Sequence, residues 1–161
     1  METIPFFIYT LLLAIGCMFL EWWLVPKRCR KIYHGSPASS YYLSCMYQPI
    51  MIYLWLTDRP IYQKAAVAIA YPIRDVPYIL GQWNMYFHHF YMFSVSVAAI
   101  LTPGWPQTLY FITGAFLECG SWTQNMTFLM IDTRHFRLAA NVNQAVMAVS
   151  HMAGLYWCFT M

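Results

Sequence analysis

Few residues of this 161-residue chain carry ionisable groups inside apolar stretches: Glu21, Arg74, Asp75, His88, His89, Glu118 and His151. A charged side chain in hydrocarbon costs about 2.5–3.5 kcal/mol on insertion scales, so such groups are kept where they face an interior or a cavity. They are therefore the residues with which chemistry could be done. His88 and His89 are adjacent, and neighbours on a helix cannot face the same way. At most one points squarely into a cavity, and the pair reads as a reactive centre or as packing groups bonded to a neighbouring helix. Glu118 has Ser121, Trp122 and Asn125 three, four and seven residues on. Those offsets share one helix face. A stripe of carboxylate, hydroxyl, indole and carboxamide is too polar for lipid and should line an interior. It is either the polar lining of a lipid cavity or an interhelical seam, with each bond worth about 0.6–2 kcal/mol. Arg74 and Asp75 point about 100° apart on a regular helix, and a structural ion pair or a functional site fits them equally. Glu21 lies near a span end and is expected to reach the interface. His151, among small residues, reads as a packing group.

The elements that must carry these residues follow from composition. The chain is 60% hydrophobic, 19% aromatic and only 9% charged, with a mean hydropathy of +0.46. Soluble domains run nearer a quarter charged, so the composition reads as a small polytopic membrane protein. Six spans of about 20 residues leave too little chain for an appended soluble catalytic domain or a nucleic-acid module. The spans fit about 5–25, 39–56, 62–80, 85–101, 107–131 and 138–159. Basic loops, TDRP, GQWN, TPGWP and DTRHFR separate them, with Gly and Pro as breakers. The third span is the least apolar and is interrupted by Pro72 and Pro77. The expected fold is all-α, one transmembrane domain over 1–161. Basic residues favour the inner side. With the N-terminus outside, Lys27, Arg28, Arg30, Lys31, Arg134 and Arg137 fall inside, and only Arg59 and Lys64 fall outside.

A net charge of +3 is too weak to argue for a nucleic-acid partner. The cluster Lys27, Arg28, Arg30 and Lys31 reads most simply as a topology signal, with headgroup binding as the alternative. Cys17, Cys29, Cys45, Cys119 and Cys158 form no C-x-x-C pair, so neither a metal site nor a disulfide is expected. The N-terminal stretch has no Lys or Arg before its apolar run and reads as a retained span rather than a leader. The sequon at Asn125 falls inside a span and should not be glycosylated.

The stretch AYPIRDVPYILGQWNMYFHHF, with an aromatic, Asp75 and then His88–His89, resembles the TLC-domain family. That family includes ceramide synthases and translocating-chain-associated membrane proteins. The stretch ECGSWTQN resembles the family's carboxylate, hydroxyl and Asn pattern through Glu118, Ser121 and Asn125, with Gly120 where a hydroxyl residue is more usual. The resemblance covers roughly 39–161 and implies six helices around a cavity that admits a lipid tail, in the endoplasmic reticulum or another endomembrane. A mitochondrial inner membrane is the alternative compartment. It implies that His88 or His89 acts as nucleophile or base, oriented by Asp75 or Glu118. A third group fixing a nucleophile and its base is physically reasonable.

Three functions are expected, in descending order. The first is a protein that binds or handles an acyl lipid or sphingolipid in an intramembrane cavity, with a bound lipid and no other cofactor. The second is a non-catalytic accessory or scaffold subunit, with membrane lipids and other membrane subunits as partners. The third is a proton or ion relay through Asp75, the His pair and Glu118.

Overall fold

The computed structural model describes residues 3–24, 32–33, 36–76, 79, 83–102 and 104–160. Among the described residues the regular elements are helices, apart from one two-residue strand pair. Its elements are α1 (Thr3–Leu24), β1 (Ile32–Tyr33), β2 (Ser36–Pro37), α2 (Ala38–Leu56), α3 (Ile61–Asp75), α4 (Trp83–Leu101), α5 (Trp105–Leu129) and α6 (Phe136–Thr160). β1 and β2 run antiparallel, with Ile32 opposite Pro37 and Tyr33 opposite Ser36. The basic cluster at Lys27, Arg28, Arg30 and Lys31, and Cys29 with it, lies outside the described residues.

The helices form where the apolar runs predict them, and prolines set several of their limits. Pro106 sits in the first turn of α5, where a missing N–H costs nothing because no carbonyl precedes it. Pro60 precedes α3. That helix is shorter than the expected span, ending at Asp75 rather than near Leu80. Pro72 withdraws one N–H from its last turn, and Val76 closes it by donating to Pro72 O at 3.2 Å. Among the described residues no helix is long and apolar enough to cross a membrane. The physical reason lies in α3's length and in the amides, Tyr, Trp and ionisable groups carried by α2, α4, α5 and α6. In α1 the side chains of Phe6, Phe7 and Trp22 are outside the described set.

The chain groups into two compact units, Met1–Ser40 with Arg59–Gln107, and Tyr41–Asp58 with Thr108–Met161. The first contains α1, α3, α4 and the first turn of α2. Here α3 packs against both α1 and α4. It is buried on every side from Ala65 through Tyr71, because Ala65, Ala66, Ala68 and Ala70 let neighbouring backbones approach closely. Tyr9 of α1 stacks on Tyr62 of α3 with centroids 6.2 Å apart.

The second unit contains the rest of α2 with α5 from Thr108 onward and α6. Trp55 of α2 packs against Tyr110 and Phe111 of α5, and its ring lies over Gly114, where a Cβ would meet Cζ3 at 2.8 Å. Tyr41 packs on Phe128 at 5.1 Å. Between α5 and α6, Thr123 donates to Asn143 Oδ1 (2.8 Å). Thr127 lies near two carbonyls, Thr123 O at 2.9 Å and Ala139 O at 3.2 Å.

Candidate functional site

In the first unit the ionisable residues collect where one end of each of four elements meets. Glu21 is three residues from the end of α1, Ser39 and Ser40 are in the first turn of α2, Arg74 and Asp75 close α3, and His89 is in the second turn of α4. Arg74 is 1% exposed. Its Nη1 donates to Ser40 Oγ (3.1 Å) and to Asp75 Oδ1, and its Nη2 donates to Ser40 O (3.0 Å). Its Nε lies 3.6 Å from Glu21 Oε2, and its guanidinium carbon sits over the Tyr71 ring at 5.6 Å. Glu21 also accepts from Ser39 Oγ at 2.9 Å. The expectation that Glu21 reaches an interface is therefore corrected: it is buried, drawn inward by the guanidinium and the serine.

The two histidines divide as adjacent helical residues must. His89 is buried, with Nε2 3.0 Å from Asp75 Oδ2 and Nδ1 2.8 Å from Met85 O. Its ring stacks on Tyr71. His88 is exposed, its ring edge-on to His89 with centroids 5.5 Å apart. Of the two carboxylates expected to orient an imidazole, Asp75 holds His89.

In the second unit Glu118 is 3% exposed. Gln48 Nε2 donates to its Oε2 (2.9 Å), and Asn125 Nδ2 donates to Gln48 Oε1 (2.9 Å). Trp122 Nε1 donates to Cys45 O at 3.1 Å. That carbonyl would ordinarily accept from the N–H four residues on, but position 49 is proline and has none. The indole of α5 thus fills the gap that Pro49 leaves in α2. Ser121 is half-buried on the same side of α5. On the neighbouring turn Gly120 meets α6 so closely that a Cβ there would be 2.5 Å from Met147 Sδ and 3.1 Å from Ser150 Oγ. His151 accepts no new role: its Nδ1 lies 2.8 Å from Met147 O in its own helix.

Gln48 is the residue that a search confined to ionisable groups misses, although it links Glu118 to Asn125. The signal was present as an amide inside the run CMYQPIMIYLWL. Ser40, the main partner of Arg74, carries no comparable signal. Among the described residues no group of three His, Cys, Asp or Glu is placed to hold a metal ion. No family model, curated protein or solved structure matches the chain.

Proposed function

We infer that this is a multi-pass membrane protein acting as a non-catalytic accessory or scaffold subunit of a larger membrane assembly. The observation that carries this reading is an apolar exterior combined with ionisable and amide groups in the interior. Large apolar residues are exposed along whole helix faces: Leu11, Leu12 and Phe19 of α1, Phe87 and Phe90 of α4, Met152 and Phe159 of α6. Glu21, Gln48, Arg74, Asp75, His89 and Glu118 are buried instead. Exposed apolar surface on that scale marks contact with lipid or with other apolar proteins. Intramembrane ionisable residues face inward and pair with one another. The residues that lower the hydropathy of α2, α3 and α5 include these inward ones, so a helix average understates how apolar the exterior is. The scaffold reading is favoured over a catalytic one because the buried polar groups are engaged with each other as ties between helices.

A second reading is a protein that holds an acyl lipid or sphingolipid. It is favoured by one observation, an exposed His88 beside the Asp75–His89 pair, together with the resemblance to TLC-domain proteins. One experiment separates the two. The protein is solubilised gently from its native membrane, resolved by native electrophoresis and identified by mass spectrometry. The scaffold reading expects a band far above 18.9 kDa containing other membrane subunits. A small band carrying a defined acyl lipid, lost in Glu118→Ala or His88→Ala, would replace it with the lipid-handling reading. Release of the untreated protein from membranes by alkaline carbonate would overturn both.

A further inference from the structure

The exposed side of α6 differs in kind from those of α1 and α2. Along α1 the exposed residues include Leu11, Leu12 and Phe19, and along α2 Met46, Ile50 and Leu56. Lipid tails cover such side chains as well as another helix does. On α6 the residues Asn141, Ala145, Ala148, Met152, Leu155 and Phe159 are all exposed, and they recur at alternating spacings of four and three. That is the pattern of a seam between two helices, in which the side chains of each insert between those of the other. The opposite side of α6 is already committed to α5. Asn143 accepts from Thr123 at 2.8 Å, and an added Cβ on Gly154 would meet Thr113 at 3.7 Å.

The amides decide what covers the outer side. Asn141 and Gln144 are exposed and have no hydrogen bond among the described residues. They stand five and eight residues from the start of a 25-residue helix, about 7 and 12 Å along a rise of about 38 Å. A hydrocarbon core of about 30 Å centred on α6 encloses both. Hydrocarbon offers an amide no partner, and an unmatched one there is costly. A primary amide both donates and accepts, so the same residue of a second copy is a matched partner. Copies inserted with the same orientation run α6 parallel, and a two-fold axis along the seam brings like positions together. Ala145 and Ala148, on the following turns, are small enough for the two backbones to approach closely. Beside the seam, Val142, Gln144, Val149 and Tyr156 carry no formal charge, and His151 is bonded within its own helix. A second copy therefore meets no like charge as the seam closes.

We propose that the outer side of α6 is a self-association surface, on which a second copy of this chain packs in parallel with the two Asn141 amides hydrogen-bonded across the axis. The proposal rests on the membrane-subunit reading and names one partner of the assembly which that reading implies.

The test is disulfide cross-linking in membranes that hold the full chain. The background is Cys158→Ser, which removes the exposed native thiol. With Ala148→Cys added, oxidation by copper phenanthroline is expected to give a species of twice the 18.9 kDa monomer. Leu12→Cys, exposed on α1, and the background chain itself are expected to give several-fold less. Asn141→Leu faces outward and leaves the contacts of the second unit in place. It is expected to weaken self-association about three- to thirtyfold, as loss of one interhelical bond does, read from the co-recovery of two differently tagged copies in mild detergent. Equal yields at positions 148 and 12, a link from 148 to a protein of another mass, or unchanged co-recovery in N141L would overturn the proposal. Alkaline carbonate applied to the same membranes keeps the two failures apart. A chain that stays membrane-bound without the link loses the self-association surface alone. A chain released by carbonate loses the membrane reading, and this surface with it.

Discussion

At the scale of single residues, Pro49 shows how a local defect becomes a tertiary contact. Its ring strands the Cys45 carbonyl, and Trp122 supplies the missing donor. Removing that donor leaves a half-buried carbonyl without its indole partner, which costs about 1 kcal/mol, the low end of the range for an unmatched group. Trp122→Phe is therefore expected to lower the unfolding midpoint of the native chain. In a Pro49→Ala background the loss should be much smaller, since the backbone N–H restored at that position can take the carbonyl back. A double-mutant cycle on thermal unfolding reads this coupling, and strict additivity would show that the indole bond contributes nothing. The polar stripe from Glu118 to Asn125 was legible in the sequence because its spacing alone puts those residues on one face. Its partners were not. A search for charge passes over Gln48, and nothing in the spacing of a chain links a carbonyl at 45 to an indole at 122.

At the scale of elements, close packing replaces what polar bonds leave undone. Gly114 gives the Trp55 ring its place, and a methyl group there would sit 2.8 Å from the ring. A rigid indole cannot step aside as a flexible side chain can. Gly114→Ala is expected to destabilise the second unit by about 1–3 kcal/mol, the usual cost of overpacking. Gly16, with nothing within 4 Å of an added Cβ, is the control: Gly16→Ala should be neutral or stabilising in the same unfolding assay, because α1 gains helix propensity. Equal losses at both positions would mean that packing against Trp55 is not the cause. Helix positions were legible from the alternation of apolar runs with Pro- and Gly-rich turns. The end of α3 was not, since the run YILG beyond Asp75 is apolar and only the prolines argue against continuing. The burial of Glu21 was equally hidden. Its distance from a helix end is visible in the sequence, but the guanidinium that holds it belongs to another helix.

At the scale of the whole molecule, the apolar exterior makes a prediction about surroundings. Leu12 lies mid-way along α1 and is exposed. If lipid covers it, Leu12→Lys costs about 2.5–3.5 kcal/mol and should sharply reduce the fraction that resists alkaline extraction. A variant that stays fully membrane-bound, with its expression unchanged, would place that face elsewhere than against hydrocarbon. Composition made the all-helical class legible, whereas the division of α2 between two units follows from contacts made by residues far apart in the chain. The length of α3 has a consequence for how such a protein is made. Fifteen residues rise only about 22 Å, short of a hydrocarbon core of about 30 Å, and the segment ends in an arginine and an aspartate. On the membrane reading proposed above, such a helix would have no stable solitary state in lipid during synthesis. It would leave the insertion machinery together with α4, whose His89 accompanies Asp75, and dock on α1. Biogenesis of the first unit would then be a concerted release of helices rather than a sequence of independent insertions.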